Sequence, residues 1–365
     1  MRTIIRTKIF QPAESAVAEC HAVLRVAAEP EDGDAGFEVQ LRTLAGALRD
    51  LQAAGRVMFC RFFLSDAANQ SAMLEETAGI LGLEAVSVVQ QPPLDGTKIA
   101  AWAYSIRGTL HPAFRPVWTG GLTAAGGTTP HAQMLEIFHR YEALLGRPEY
   151  GLSPAADCIR TWIFVQNVDV SYGGVVTGRK AYFDAVGLTS RTHYIASTGI
   201  EGRHANPGVC VQMDALAVGG LRPGQVRHLQ APTHLNPTYE YGVTFERGTA
   251  VQYGDRRHVF ISGTANINNR GRVMYAGDVL RQTRRMLENI QALLAEAGAG
   301  LKDVVQGIVY LRDPADAATV RRFFETFHPD LNVLFVLAPV CRPAWLIEME
   351  CIAVTPDGDT AFPNM

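Results

Sequence analysis

The chain is short of the usual chemical markers. Its six cysteines, Cys20, Cys60, Cys158, Cys210, Cys341 and Cys351, fall in no CxxC or metal-like spacing, and in a chain of this size they read as reduced thiols. The ten histidines, among them His111, His131, His139, His193, His204 and His258, form no HxH or HExxH grouping, so no metal site is expected. No apolar run approaches the ~20 residues that span a bilayer. The opening stretch MRTIIRTKIFQPAES is charged and lacks the apolar core of a secretory signal. Cytoplasm and no membrane contact are the expectation. An excess of either charge is also missing: 33 Lys and Arg face 36 Asp and Glu, for a net charge of −3, which removes any broad electrostatic reason to bind nucleic acid. GGLTAAGG (120–127) lacks both the lysine of a phosphate loop and the spacing of a dinucleotide turn. It reads as a plain hairpin, and no cofactor is expected.

What is present is a folded composition, 47% hydrophobic and 19% charged, over 365 residues. That length suits two or three units of ordinary domain size. The clearest pattern lies towards the C-terminal end. RRHVFISGT (256–264) is a β-branched run. From Asp278 to Ala297, apolar positions Val279, Met286, Leu287, Ile290, Leu293 and Leu294 keep helical spacing, and Gly298 is a stop. VVQGIVYLRD (304–313) is a strand, DAATVRRFFETF (316–327) a helix and WLIEMECIAV (345–354) a closing strand.

The same order of strand and helix occurs twice more. FEVQLRTLAGALRDLQAAG, RVMFCRFFLSD, NQSAMLEETAGILG and KIAAWAYSI make up the first copy; PHAQMLEIFHRYEALLG, CIRTWIFVQN, VVTGRKAYFDAVG and VCVQMDALAV make up the second. A Pro- or Gly-marked loop precedes each last strand: QPPLDG, STGIEG and CRP. The reading is an α+β protein of three tandem units, 1–113, 114–235 and 236–365, at a period of about 120 residues, too long for a solenoid. A plain, unrepeated α/β alternation is the alternative. Fused copies of a trimer keep sites between units and let each one diverge. Aligned from their final hydrophobic residues, the closing strands set Glu348 opposite Gln212 and Ala100. Only the third unit keeps a carboxylate, so one working site per chain is expected.

FISGTANI (260–267), LRQTRRMLENIQALLAEAGAGLKDVV (280–305), VYLRD (309–313) and CRP with LIEMECIAV (341–354) resemble the Rid (YjgF-like) family. The resemblance implies chorismate-mutase-like α/β layers, arranged here as a pseudo-trimer. Rid enzymes hydrolyse reactive imines with a glutamate in the closing strand and an arginine in the preceding one. The glutamate maps to Glu348, but LNVLFVLAPV (331–340) holds no arginine, which counts against imine deamination. The fused, Rid-ended architecture is similar to the chorismatase family, which releases pyruvate from chorismate. That resemblance implies Glu348 as the catalytic residue. Cys341, seven residues earlier, matches the members that form 3-hydroxybenzoate, and Arg321 matches an arginine in the last helix. YEYGVTFERG (239–248) looks like the family's run-in to its third unit and brings Arg247.

As chemistry, Glu348 sits in an apolar strand, where burial raises a carboxyl pKa and suits it to proton transfer; an ion pair with Arg321 or Arg342 is its structural alternative. Glu350 shares its strand face and reads as supporting or structural. Two substrate carboxylates call for two cationic clamps, for which the arginine fork is suited. The candidates are Arg321, Arg247, Arg203 and Arg160; their alternatives are solvated or internally paired charges. Tyr194 and Tyr239 are candidate hydrogen-bonding partners or core residues. Cys341 shapes the pocket or is a small hydrophobe; no histidine supports it as a nucleophile. The expected activity is conversion of chorismate to pyruvate and a hydroxybenzoate, 3-hydroxybenzoate foremost, or a dihydroxycyclohexadiene carboxylate. The alternatives are an imine or enamine hydrolase and a non-catalytic ligand-binding protein. Because fusion removes the need for a trimer, a monomer or weak dimer is expected.

Overall fold

The structure, a computed structural model, describes residues 2–13, 15–27 and 36–365. The first unit runs β1 (Arg2–Phe10), β2 (Ala18–Ala27), α1 (Phe37–Ala54), β3 (Arg56–Leu64), α2 (Ala67–Leu81), β4 (Val86–Gln90) and β5 (Ile99–Arg107). The second runs β6 (Arg115–Thr123), α3 (Pro130–Leu145), the short α4 (Pro154–Asp157), β7 (Cys158–Val165), α5 (Val168–Ala185), β8 (Ala196–Glu201) and β9 (Val211–Gly219). The third runs β10 (Val226–Leu229), β11 (Gly248–Gln252), β12 (Arg257–Thr264), α6 (Val279–Glu296), β13 (Val304–Leu311), α7 (Ala317–Phe327), β14 (Val333–Leu337) and β15 (Ile347–Thr355).

Each unit is one sheet backed by two long helices, with strand orders β1-β2-β5-β3-β4, β6-β9-β7-β8 and β10-β11-β12-β15-β13-β14. The last strand of each unit sits inside its sheet, antiparallel to both neighbours. β3 with β4, β7 with β8 and β13 with β14 are parallel. Parallel partners need a crossover rather than a hairpin, and α2, α5 and α7 provide it. Local signals set the helix starts: the side chains of Asp66, Thr129 and Asp278 accept hydrogen bonds from Asn69 N, Ala132 N and Arg281 N, satisfying donors that lack helical partners.

Three details differ from the sequence reading. STGIEG is not a loop but most of β8, an edge strand too short and polar to show alternation. GGLTAAGG is not a hairpin: its first four residues end β6, and the rest leads into α3. Gly120 is required there, because a β-carbon would lie 2.4 Å from Val86 O of the first unit. The third sheet reaches back to β10, ahead of residue 236, since β10 pairs with β11.

The ladders place the units in a common frame. Ile99 faces Leu64, Val211 faces Val165, and Ile347 faces Leu311. One step on, Ala100 faces Phe63, Gln212 faces Phe164 and Glu348 faces Tyr310. These three residues are therefore structurally equivalent. Backbone hydrogen bonds stitch the units in a ring: Gln90 N to Arg203 O at 2.8 Å, Glu201 N to Pro339 O at 3.1 Å, and Leu337 N to Pro92 O at 2.8 Å. A shared core draws on all three sheets, including Trp102, Trp162, Leu216, Phe260 and Ile352. Fully buried Arg61 bonds Asp214 at 2.8 Å and lies 3.6 Å from Glu350. Its guanidinium packs over the rings of Trp162 and Phe164, adding cation–π attraction in a desolvated setting.

Candidate active site

Glu348 opens into a cleft of about 490 Å³ between the second and third units. The second unit supplies Tyr172 and Arg179 from α5, with Ser197 and Gly199 from β8. The third supplies Phe245 and Arg247 ahead of β11, Gly263 on β12, and Cys341, Arg342 and Trp345 before β15. The seam is set by backbone bonds. Glu246 N donates to Ile195 O at 3.2 Å, and Ser262 N donates to Arg247 O at 3.0 Å. The segment carrying Arg247 is thus held between β8 and β12.

Glu348 is 4% exposed, and among the described residues it has no hydrogen bond or ion pair. Burial pushes its carboxyl up to about 8; the nearby charge of Glu350 adds to the rise, and Arg160 and Arg247 partly offset it. At neutral pH the group is mostly a carboxylic acid, able to donate a proton. Its Oε1 lies directly over Gly263, where a β-carbon would be only 2.2 Å away.

The floor beneath Glu348 is ionic. Arg160, 1% exposed, bonds Glu350 Oε2 at 2.9 Å and donates to the hydroxyl of Thr198. Thr198 Oγ1 accepts in turn from Gly263 N at 2.9 Å. Arg160 therefore lies below the cleft rather than on its wall, and Glu350 is its counter-ion. The wall arginines are Arg179, Arg247 and Arg342. Arg179 bonds Thr244 Oγ1 at 3.1 Å, and Arg247 bonds Asn236 O at 2.9 Å. These contacts tether both guanidinium groups at the cleft wall.

Cys341 lines the same cleft. Burial and the nearby Glu348 push its thiol up to about 12, against a hydrogen bond from Tyr172. It is a neutral thiol, not a thiolate nucleophile. Tyr172 reaches it across Gly199, where a β-carbon would meet the ring at 2.9 Å.

The remaining sequence candidates lie elsewhere. Arg247 also lines an outer hollow of about 420 Å³ with Tyr194 and Tyr239. Tyr194 is buried, stacks on Phe183 and bonds Glu246 Oε1 through its N–H; Tyr239 is exposed. Arg203 sits on the seam of the first and second units, 3.5 Å from Glu201. Arg321 is not at the Glu348 cleft: it lines a separate hollow with Arg6 and Arg25 and donates to Leu94 O of the first unit. The reason is the ring order. Glu348 faces the second unit, so α5 rather than α7 closes its cleft, and α5 brings Arg179 to its wall. Sequence reading passed over Arg179, although its spacing from Tyr182 puts it on the buried face of α5.

At the other two seams the ladder step of Glu348 carries no acid. Gln212 is spent on the first unit, bonding Ser87 Oγ at 3.3 Å and Val88 O at 3.1 Å. Ala100 is fully buried and carries no titratable group.

Comparison with known proteins is consistent with this frame. The family described as Endoribonuclease L-PSP matches residues 248–355. A RutC family protein of Pyrococcus abyssi is 38% identical over 97 residues, which is 26% of this chain and 76% of that protein. A 3-hydroxybenzoate synthase of Streptomyces hygroscopicus is 27% identical over 231 residues, covering 56% of this chain and 65% of that protein. The solved structure of a chorismatase superposes with a TM-score of 0.63 at 18% identity, covering 93% of this chain and all of that one. The fold is three Rid-like units in one chain.

Proposed function

The chain belongs to the RutC family, and we propose that it is a chorismatase acting at the Glu348 cleft. The observation that carries this reading is a buried carboxyl, its pKa raised by burial, that shares one cleft with three arginines. A substrate with two carboxylates suits such a wall. Arg247 and Arg179, each already oriented by a hydrogen bond, are the proposed clamps, with Arg342 closing the loop side.

Glu348 then donates its proton to the methylene carbon of the enol ether. The resulting oxocarbenium takes up water, and the hemiketal collapses to pyruvate and a ring alcohol. If the ring instead aromatises, the products are pyruvate and 3-hydroxybenzoate with no net water consumed. We favour the aromatic product: the similarity to a 3-hydroxybenzoate synthase supports it, as does the neutral Cys341 thiol beside Glu348. Cys341, held by Tyr172, shapes the cleft at the ring rather than attacking it. The enzyme is proposed to work in the cytoplasm as a monomer or weak dimer.

The test is incubation of the purified protein with chorismate, coupling pyruvate to lactate dehydrogenase and separating aromatic products by chromatography. Pyruvate release with one equivalent of 3-hydroxybenzoate is the expected result. No pyruvate above the uncatalysed rate overturns the reading.

A further inference from the structure

We propose that the seam between the third and first units is a second, non-catalytic binding site for one aromatic monocarboxylate. A hollow of about 760 Å³ lies there, lined by Arg321, Phe324 and Glu325 of α7, Phe335 of β14, and Arg6 and Arg25 of the first unit. It is the ring-equivalent of the Glu348 cleft. In the ladders Val333 faces Gly307 and Phe335 faces Val309, the positions at which Ser197 faces Thr161 and Gly199 faces Ile163. Ser197 and Gly199 line the Glu348 cleft; Val333 and Phe335 line this one. Each hollow is closed by the crossover helix of the preceding unit, α5 in one case and α7 in the other, and each helix brings an arginine.

Two changes convert the chemistry. Ala100 stands where Glu348 stands, so this seam has no acid at the ladder step that Glu348 occupies. Phe335 replaces Gly199 and meets Phe324 edge-on at 5.3 Å, giving an aromatic wall. The cations are retained. Arg25 lies 3.6 Å from Asp95, Arg6 donates to Pro329 O at 3.3 Å, and Arg321 donates to Leu94 O. Buried Arg25 Nε and Arg321 Nε have no hydrogen-bond partner among the described residues, and unmet guanidinium donors are costly unless an acceptor arrives. Three arginines against Glu325 and Asp95 leave one positive charge, which one carboxylate neutralises. A ring against Phe335 and a carboxylate on Arg25 and Arg321 satisfy both halves of the site.

The inference does not depend on the reaction at Glu348, and its test uses benzoate as the probe. Calorimetric titration of the wild-type protein should resolve one benzoate event that survives Arg179→Gln. Arg25→Gln should weaken that event at least ~10-fold, as expected for loss of a charge-assisted hydrogen bond, while leaving turnover at the other cleft unchanged. Arg6→Gln, at an exposed position on β1, provides a second variant without disturbing the interior and should weaken the same event. Wild-type benzoate affinity in both variants, with melting temperatures showing both folded, overturns the proposal. So does a wild type whose only benzoate uptake disappears in Arg179→Gln.

Discussion

Glu348 Oε1 occupies the space that a side chain at Gly263 would need: a β-carbon there would be 2.2 Å from that oxygen. The glycine is therefore part of the acid's seat, not a flexible link. Its own N–H is fixed to Thr198 of the neighbouring unit, so the strand has little room to retreat. Gly263→Ala should push the carboxylate off its position and lower kcat/KM for pyruvate release by at least ~10², the range attached to losing general acid catalysis. Circular dichroism should show the fold retained. Near-wild-type kinetics in this variant would mean that the carboxylate works from another rotamer.

The raised carboxyl of Glu348 gives two pH signatures. Catalysis needs the acid form, so kcat should fall as pH rises through about 8. Stability has a related sign. Between the ordinary 4.5 and about 8 the folded state keeps the proton and the unfolded state has lost it. Stability contributed by this group is therefore present below about 4.5 and declines as pH rises to about 8. Denaturant titrations of wild type and Glu348→Gln should show a stability difference that shifts against wild type across that window. A difference flat in pH would contradict the burial argument.

The arginines provide a further division. Arg179→Gln should raise KM for the substrate at least ~10-fold, consistent with loss of a charge-assisted clamp, whereas Arg321→Gln should leave KM and kcat within about twofold. Steady-state kinetics on both variants check this. The reverse result would place the substrate on the third-to-first seam and remove Glu348 from contact with it.

That contrast shows what the sequence makes legible. Local patterns reveal the elements: the apolar spacing of Val279 to Leu294 marks α6, and the β-branched run of RRHVFISGT marks β12. Register is legible as well, since strand period fixes Glu348, Gln212 and Ala100 at one ladder step. The ring order of three similar units leaves no local trace. Without it, the acid of the third unit cannot be matched to the helix of the second, which brings Arg179 rather than Arg321 to its cleft. β8 escaped notice because Ser197 and Gly199 interrupt its two β-branched residues, Thr198 and Ile200, in a strand of only six residues. Arg160 looks like a site residue because a charge in an apolar run is unusual; in the structure it pairs with Glu350, whose reading as a supporting or structural group fits that contact.

The Glu350 pair yields a stability prediction. Glu350 is 1% exposed and joined to Arg160 at 2.9 Å, with Arg61 also within reach. Removing one partner of a buried pair leaves an uncompensated charge, at a cost of about 3–5 kcal/mol. Glu350→Gln should therefore lower the melting temperature clearly. It should also remove the charge that helps hold Glu348 protonated, moving the upper limb of the pH–rate profile to lower pH. Thermal denaturation and the profile together test this; a stable variant with an unmoved profile would separate Glu350 from both roles.

Glu348→Gln is the decisive substitution. Gln212 already occupies the same ladder step in the second unit, buried and hydrogen-bonded within an intact sheet, so the fold accepts an amide at this point. The amide also removes a proton-binding group from a desolvated place, so no new charge is stranded. What it cannot do is pass a proton to an enol-ether carbon. Arg179, Arg247 and Arg342 are untouched and should still hold the substrate, so binding and catalysis separate. The expected outcome is a melting temperature near or above that of wild type at pH 8, a substrate Kd within a few-fold by calorimetry, and kcat lowered by at least ~10². Near-wild-type kcat would make Glu348 a spectator and leave the cleft without its acid. An unchanged kcat accompanied by a large rise in Kd would instead assign Glu348 to binding.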